Sequence, residues 1–181
     1  MKPLIFSAPM VKAILAGTKT HTRRPIVPQP VFKNGMGRWK NHKFSQEITY
    51  GMLDHAPYTP GDVLYVRETW ANLGWDNYIY QADEFNRYGH YQHWRPSIRM
   101  PREAARIFLK VTSVRAERLQ DISEADAEAE GVTTDLPTGL KYENHIAAFA
   151  QIWSEIYAKK PEFGWDADPW VFVISFERNS A

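Results

Sequence analysis

The chain has 181 residues, 44% of them apolar and 24% charged, a balance that fits one soluble domain or one small domain with elaborate insertions. It contains no cysteine, which excludes disulfides, thiolate metal sites and cysteine nucleophiles. A net charge of +1 argues against wholesale coating of nucleic acid, although a cleft can still focus local charge.

No apolar run approaches the roughly eighteen residues that span a bilayer, and the first residues lack the long apolar stretch of a signal peptide. A soluble, cytoplasmic protein without a membrane partner is expected. Ser7 is placed as a helix N-cap, with Ala8 and Pro9 in the first turn. Met10, Val11, Ile14 and Leu15 form the apolar face of that helix, and Gly17 ends it. The run Thr18-Lys19-Thr20-His21-Thr22-Arg23-Arg24 then reads as a basic, threonine-rich strand that stops at Pro25. In an extended chain Lys19, His21 and Arg23 share one face, and Thr20, Thr22 and Arg24 the other.

Residues 25–57 hold four prolines and mixed polarity, and read as a long excursion with little regular structure. Pro60-Gly61-Asp62 is a turn leading into a core strand over Val63, Leu64, Tyr65 and Val66, after which come Arg67, Glu68 and Trp70. Rings crowd the next segment: Trp70, Trp75, Tyr78, Tyr80, Phe85, Tyr88, Tyr91 and Trp94. They make either a stacking platform for bases or, more simply, a local cluster that holds an insertion together. Asn77 to Ala82 suits another strand.

Arg106 to Arg115 alternates clearly, with Ile107, Leu109 and Val111 on one side and Phe108 and Lys110 on the other. Ser123-Glu124-Ala125-Asp126 is a cap for a short helix that runs to Glu130 and ends at Gly131. Residues 132–142 read as loop. The longest helix covers 144–158, with Ile146, Phe149, Ile152, Trp153, Ile156 and Tyr157 on one face. Trp170 to Phe176 alternates as a closing strand. Several separated strands with few helices predict a small, partly open barrel.

Arg23 and Arg24 are natural clamps for phosphate or carboxylate, with Asp62 and Glu68 as alternative partners. Arg99, Arg102 and Arg106 offer a second basic strip, and Glu68 beside Trp70 suits recognition of a base edge with stacking on the ring. The six histidines are scattered; His90 and His93 have the spacing of a ligand pair but no obvious acidic third ligand. No metal and no cofactor are expected.

Together the helix ending in Ala16-Gly17, the segment 18–24, Pro60-Gly61-Asp62-Val63-Leu64, the strand 106–115 and Leu119-Gln120-Asp121-Ile122-Ser123-Glu124 resemble the ASCH family of the PUA-like superfamily. Ala127-Glu128-Ala129-Glu130-Gly131-Val132 and the final aromatic strand extend the resemblance. Arg67-Glu68-Thr69-Trp70 is similar to an element of its larger phage and prophage members. The resemblance implies an α+β fold: a single domain over 1–181 built as a small PUA-like β-barrel flanked by helices, with insertions at 26–57 and 71–100. It implies RNA or a modified nucleoside as partner, bound in a cleft beside the first helix. Arg23, Arg24, Glu68, Trp70, Arg99 and Arg102 are the candidate ligand-binding residues.

One enzymatic branch of that family removes acetyl from N4-acetylcytidine with a lysine, a threonine and a glutamate, which match Lys19, Thr22 and Glu130. In that role Thr22 attacks or positions water, Lys19 acts as base or oxyanion partner, and Glu130 orients Lys19 or transfers a proton to the leaving cytosine amine. His21 stands where the small enzyme has an apolar residue. Lys19 and Thr22 project to opposite faces of an ideal strand, so a shared site requires a bend or bulge. The plain alternative is a surface ion pair between Lys19 and Glu130, with Thr22 serving as a strand former. A ribonuclease, or a phage accessory protein that binds a host protein through its aromatic insertion, are further alternatives.

Overall fold

A computed structural model describes residues 1–33, 36–39, 42–44, 52–54, 56–75, 77–83, 93–135 and 141–179. The central element is the alternating segment after Ile107, which forms strand β9 (Phe108–Arg118). It pairs on one side with β6 (Val63–Arg67), Leu64 lying opposite Leu109, and on the other with β10 (Trp170–Arg178). β2 (His21–Pro25) lies antiparallel beside β10, and β1 (Lys2–Ile5) runs parallel to β6. The order is β1-β6-β9-β10-β2.

This sheet corrects the expected barrel. It is mixed and open: β1 and β2 are its two edges, and neither pairs with the other. Closing a barrel requires both edge strands to offer matched backbone ladders. Here the approach of the edges is spanned by a side chain, because the Arg24 guanidinium donates to the Ile5 carbonyl at 2.8 Å. The chain just before β2 is engaged elsewhere, with the Thr20 amide donating to the Ala129 carbonyl at 2.8 Å and Lys19 bridging to Glu130. The fold class is therefore α+β with an open sheet.

Residues paired across an antiparallel ladder share a face. Thr22 opposite Ile174 and Arg24 opposite Phe172 thus lie on one side, and Arg23 opposite Val173 on the other. The first side is covered by α1 (Ala8–Ala16), whose Val11 and Ile14 join Phe6, Leu64, Leu109, Ile174 and Phe176 in the larger core. The second is covered by α2 (Glu124–Ala129) and α3 (His145–Ile156), where Ala127, Phe149 and Trp153 pack on Val171 and Val173.

Local signals place the helices. Gly17 takes φ +81 and ends α1, while Ser7 occupies the N-cap without a side-chain capping bond. The Ser123 hydroxyl accepts from the Asp126 amide at 3.2 Å, as the cap motif predicts. Glu124 accepts from the His145 and Ile146 amides at 3.0 and 3.2 Å, so the first residue of α2 also holds the start of α3.

The excursion after Pro25 is more regular than its sequence indicates. β3 (Val31–Lys33), β4 (Met36–Trp39) and β5 (His42–Phe44) form a three-stranded antiparallel sheet, each strand too short to display a period. β7 (Trp70–Asn72) and β8 (Tyr78–Tyr80) make a hairpin. Its buried Trp70 packs with Met100 and Ala104, and Tyr78 and Tyr80 pack against them, as a local cluster would. Trp75, at the hairpin tip, is 104% exposed. Phe85, Tyr88 and Tyr91, together with His90, lie outside the described residues. Among the described residues, no helix is long and apolar enough to cross a membrane.

Candidate functional site

The site grows from the junction of α1 and β2. After Gly17 the Lys19 amide donates back to the Ala13 carbonyl at 3.1 Å, and Lys19 bridges Glu130 in the turn that follows α2. Gly131, at φ +77, permits this closeness: a Cβ there would meet the Lys19 Cβ at 2.7 Å and the Ala13 Cβ at 2.8 Å.

The Lys19 side chain is 1% exposed and that of Glu130 5%, so their pairing is buried rather than superficial. The Lys19 Nζ donates to Glu130 Oε2 at 2.7 Å and to the carbonyls of Glu130 and His21, each at 2.8 Å. An ammonium has three N–H donors, and all are engaged here. Burial lowers the Lys19 pKa, Glu130 opposes that shift, and Arg24 and Arg23 add to it.

Arg23 extends the cluster on the α2–α3 side of the sheet. Its Nη1 donates to Glu130 Oε1 at 3.2 Å, its Nη2 to Glu117 Oε1 at 2.7 Å and to Asp126 Oδ2 at 3.1 Å. Arg115 closes the network onto Glu117 at 2.8 Å and Asp126 at 2.6 Å. Lys19, Arg23 and Arg115 are thereby matched by Glu130, Glu117 and Asp126. Burial pushes the Asp126 carboxyl up, but Arg115 and Arg23 outweigh it and hold the group below its ordinary value. Burial lowers the His21 pKa.

Next to this network lies a cavity of about 370 Å3, bounded by the start of α1, by β2 and by α3. Lys19, Arg23 and Glu130 supply its polar side. Phe149, Ile152, Trp153, Ile156 and Tyr157 line it from α3 and the residue after it, with Met10 and Val132 completing an apolar wall. The Trp153 and Tyr157 rings lie 4.6 Å apart at 34°, and the Trp153 indole donates to the Phe163 carbonyl at 2.7 Å. Trp153 is therefore both a core residue and a cavity residue.

Arg24 also lines the cavity, in a different state from Arg23. It donates to the carbonyls of Ile5 and Arg23 at 2.8 and 3.1 Å and lies 5.4 Å from the Phe6 ring centre. The two carboxylates considered as partners for it go elsewhere. Asp62 pairs with Lys2 at 2.9 Å, and Glu68 binds Arg106 through both oxygens at 2.9 and 3.0 Å.

The remaining sequence candidates do not converge here. Thr22 is 1% exposed, lies on the α1 side of the sheet and does not line the cavity. Among the described residues its hydroxyl makes no hydrogen bond to Glu130, whose carboxylate oxygens accept from Lys19 and Arg23. Glu68, buried and raised in pKa by that burial against the pull of Arg106, braces the base of the β7–β8 insertion, with Asp83 also on Arg106 at 2.6 Å. Trp70 is buried there under the Arg95 guanidinium at 5.2 Å. Arg99 and Arg102 are exposed on two short 3-10 turns outside the cavity lining.

Arg115, Glu117 and Asp126 do not stand out in the sequence as site residues. Arg115 and Glu117 are two apart on a strand and so share a face, a signal that was present but reads equally as a solvated edge. Asp126 reads from sequence only as a cap partner.

No family model matches the chain, and no curated protein matches it. Among solved structures, the chain is similar to the crystal structure of protein EF3133 from Enterococcus faecalis V583, described by the family-model DUF984. The two share 14% identity over 99% of this chain and 76% of that chain, with a TM-score of 0.48. The ASCH-domain, PUA-like and β-barrel descriptions are accordingly corrected: no family match carries them, and the sheet is open.

Proposed function

We propose that the cavity beside β2 binds a modified nucleoside, or a comparable small ligand with a flat polar ring. The observation that carries this is a partly open pocket of about 370 Å3 with an aromatic and aliphatic wall facing a buried Lys19–Glu130–Arg23 cluster. Such a combination of apolar lining and few fixed polar groups is typical of small-molecule sites. The ring would lie against the α3 side chains. The Glu130 carboxylate accepts from Lys19 at one oxygen and from Arg23 at the other, leaving lone-pair capacity for an amino group of a base. The confined lining favours a single nucleoside over a length of RNA, because exposed Arg99 and Arg102 lie outside it.

Amide hydrolysis is a second reading, favoured by the burial-lowered Lys19 pKa beside Glu130. Its nucleophile would be water, which would attack the acyl carbon as the C–N bond breaks and the amine leaves with a proton. Binding without chemistry is simpler, because the three Lys19 donors are already engaged.

Calorimetric titration with cytidine and N4-acetylcytidine, followed by an assay for released acetate, tests both readings. Saturable one-to-one binding is expected, weakened at least tenfold by Ile152→Trp, which fills the cavity in a chain whose melting is checked separately. Absence of saturable binding by the folded wild type overturns the nucleoside reading. Acetate release that disappears in folded Glu130→Gln makes the site a hydrolase.

A further inference from the structure

We infer that the cavity prefers a ligand bearing one oxyanion group, phosphate or carboxylate, and that Arg24 is the residue that selects it; this rests on the nucleoside-binding reading above. The inference comes from the matching of charges. Lys19, Arg23 and Arg115 are neutralised by Glu130, Glu117 and Asp126 at 2.6–3.2 Å, so the polar side of the cavity is internally satisfied. Arg24 stands outside that balance. It lines the same cavity, is half-buried, and has no carboxylate within ion-pair distance among the described residues.

Its position is also prepared. Two of its five N–H groups donate to the carbonyls of Ile5 and Arg23, and the Phe6 ring lies 5.4 Å from the guanidinium. Those contacts hold the plane of the fork and leave three N–H groups for an oxyanion, which a guanidinium grips through paired bonds. The ordering cost of the side chain is met before any ligand arrives. Glu155, the carboxylate of the lining outside the balanced cluster, is exposed and accepts from Gln151 at 2.9 Å, so water and that amide screen it.

The test titrates the full chain with cytidine, cytidine 5′-monophosphate and 5-carboxycytidine, in wild type and in Arg24→Gln, at low and high salt. At least one charged ligand is expected to bind the wild type about tenfold to a hundredfold more tightly than cytidine. Whichever it is identifies phosphate or carboxylate as the oxyanion. That preference, read as the ratio of charged-ligand to cytidine affinity, should collapse in Arg24→Gln and should shrink with salt in the wild type. Arg24→Lys, which keeps the charge without the fork, should retain only part of it. Should Arg24→Gln fail to fold, the salt dependence and the lysine variant decide. Equal binding of all three ligands by the wild type overturns the inference and leaves nucleoside binding standing, as does a preference that survives in folded Arg24→Gln. Failure of all three to bind overturns both.

Discussion

Thr22 is a buried residue whose hydroxyl has no hydrogen-bond partner among the described residues. An unsatisfied buried hydroxyl costs stability, and valine has nearly its shape without the polar atom. Thr22→Val is therefore expected to stabilise the fold by about 1 kcal/mol in urea denaturation and to leave ligand binding unchanged. A loss of stability instead would mean that the hydroxyl is satisfied in solution, and a loss of binding would return Thr22 to the site. The neighbouring Arg23 shows why adjacency in a strand says little about shared chemistry. One residue further along, its side chain is on the opposite side of the sheet and engaged with three carboxylates.

At the scale of elements, the site depends on how closely the turn after α2 approaches the chain leaving α1. Gly131 makes that approach, both through its positive φ and through the space it leaves for Lys19 and Ala13. Gly131→Ala would force a left-handed alanine against two Cβ atoms, neither of which is the free end of a flexible side chain. A loss of about 2–4 kcal/mol is expected from backbone strain and overpacking together. Thermal or denaturant melting measures it, and nucleoside affinity should fall in parallel because Lys19 is displaced. A variant as stable as the wild type would show that the turn can move away. Glycine after a helix is visible in sequence, and Gly17 and Gly131 were both placed as helix ends. The second duty of Gly131, making room for a residue more than a hundred positions away, was not visible.

Across the whole molecule, the charge network makes stability depend on pH. The folded-state pKa of His21 is lowered by burial, so as pH falls through about 6.5 the unfolded chain takes up a proton that the folded chain resists. Asp126 is also held below its ordinary value, so below about pH 4 the unfolded state again binds more protons. Both steps remove stability on acidification. Glu68 works the other way, since burial raises its pKa and protonation relieves that burial. A denaturant melt at pH 5.5 should show the first loss relative to pH 7.5, and His21→Gln should flatten it; at lower pH Asp126 and Glu68 pull in opposite directions. A first step of unchanged size in that variant would assign the loss to other groups.

Much of the fold is legible in the sequence. The alternation of 106–115 and of the closing strand, the Pro60-Gly61-Asp62 turn, the Ser123 cap and the apolar face of 144–158 all declare their elements locally, because each depends on a period or a turn chemistry within a few residues. The split of Arg23 from Thr22 and Arg24 follows from the same period of two. Lys19 and Glu130 meet, as both the catalytic reading and the plain ion-pair reading require, but in the interior rather than at the surface. What only the tertiary structure decided is non-local. It brought β1 parallel to β6, left the two edges unpaired, buried the Lys19–Glu130 pair and matched Arg23 and Arg115 to three carboxylates. It also left Arg24 beside the cavity without a counter-ion among the described residues. The physical reason is that local sequence sets backbone periods and turns, whereas pairing partners, burial and the balance of charges depend on which distant segments pack together.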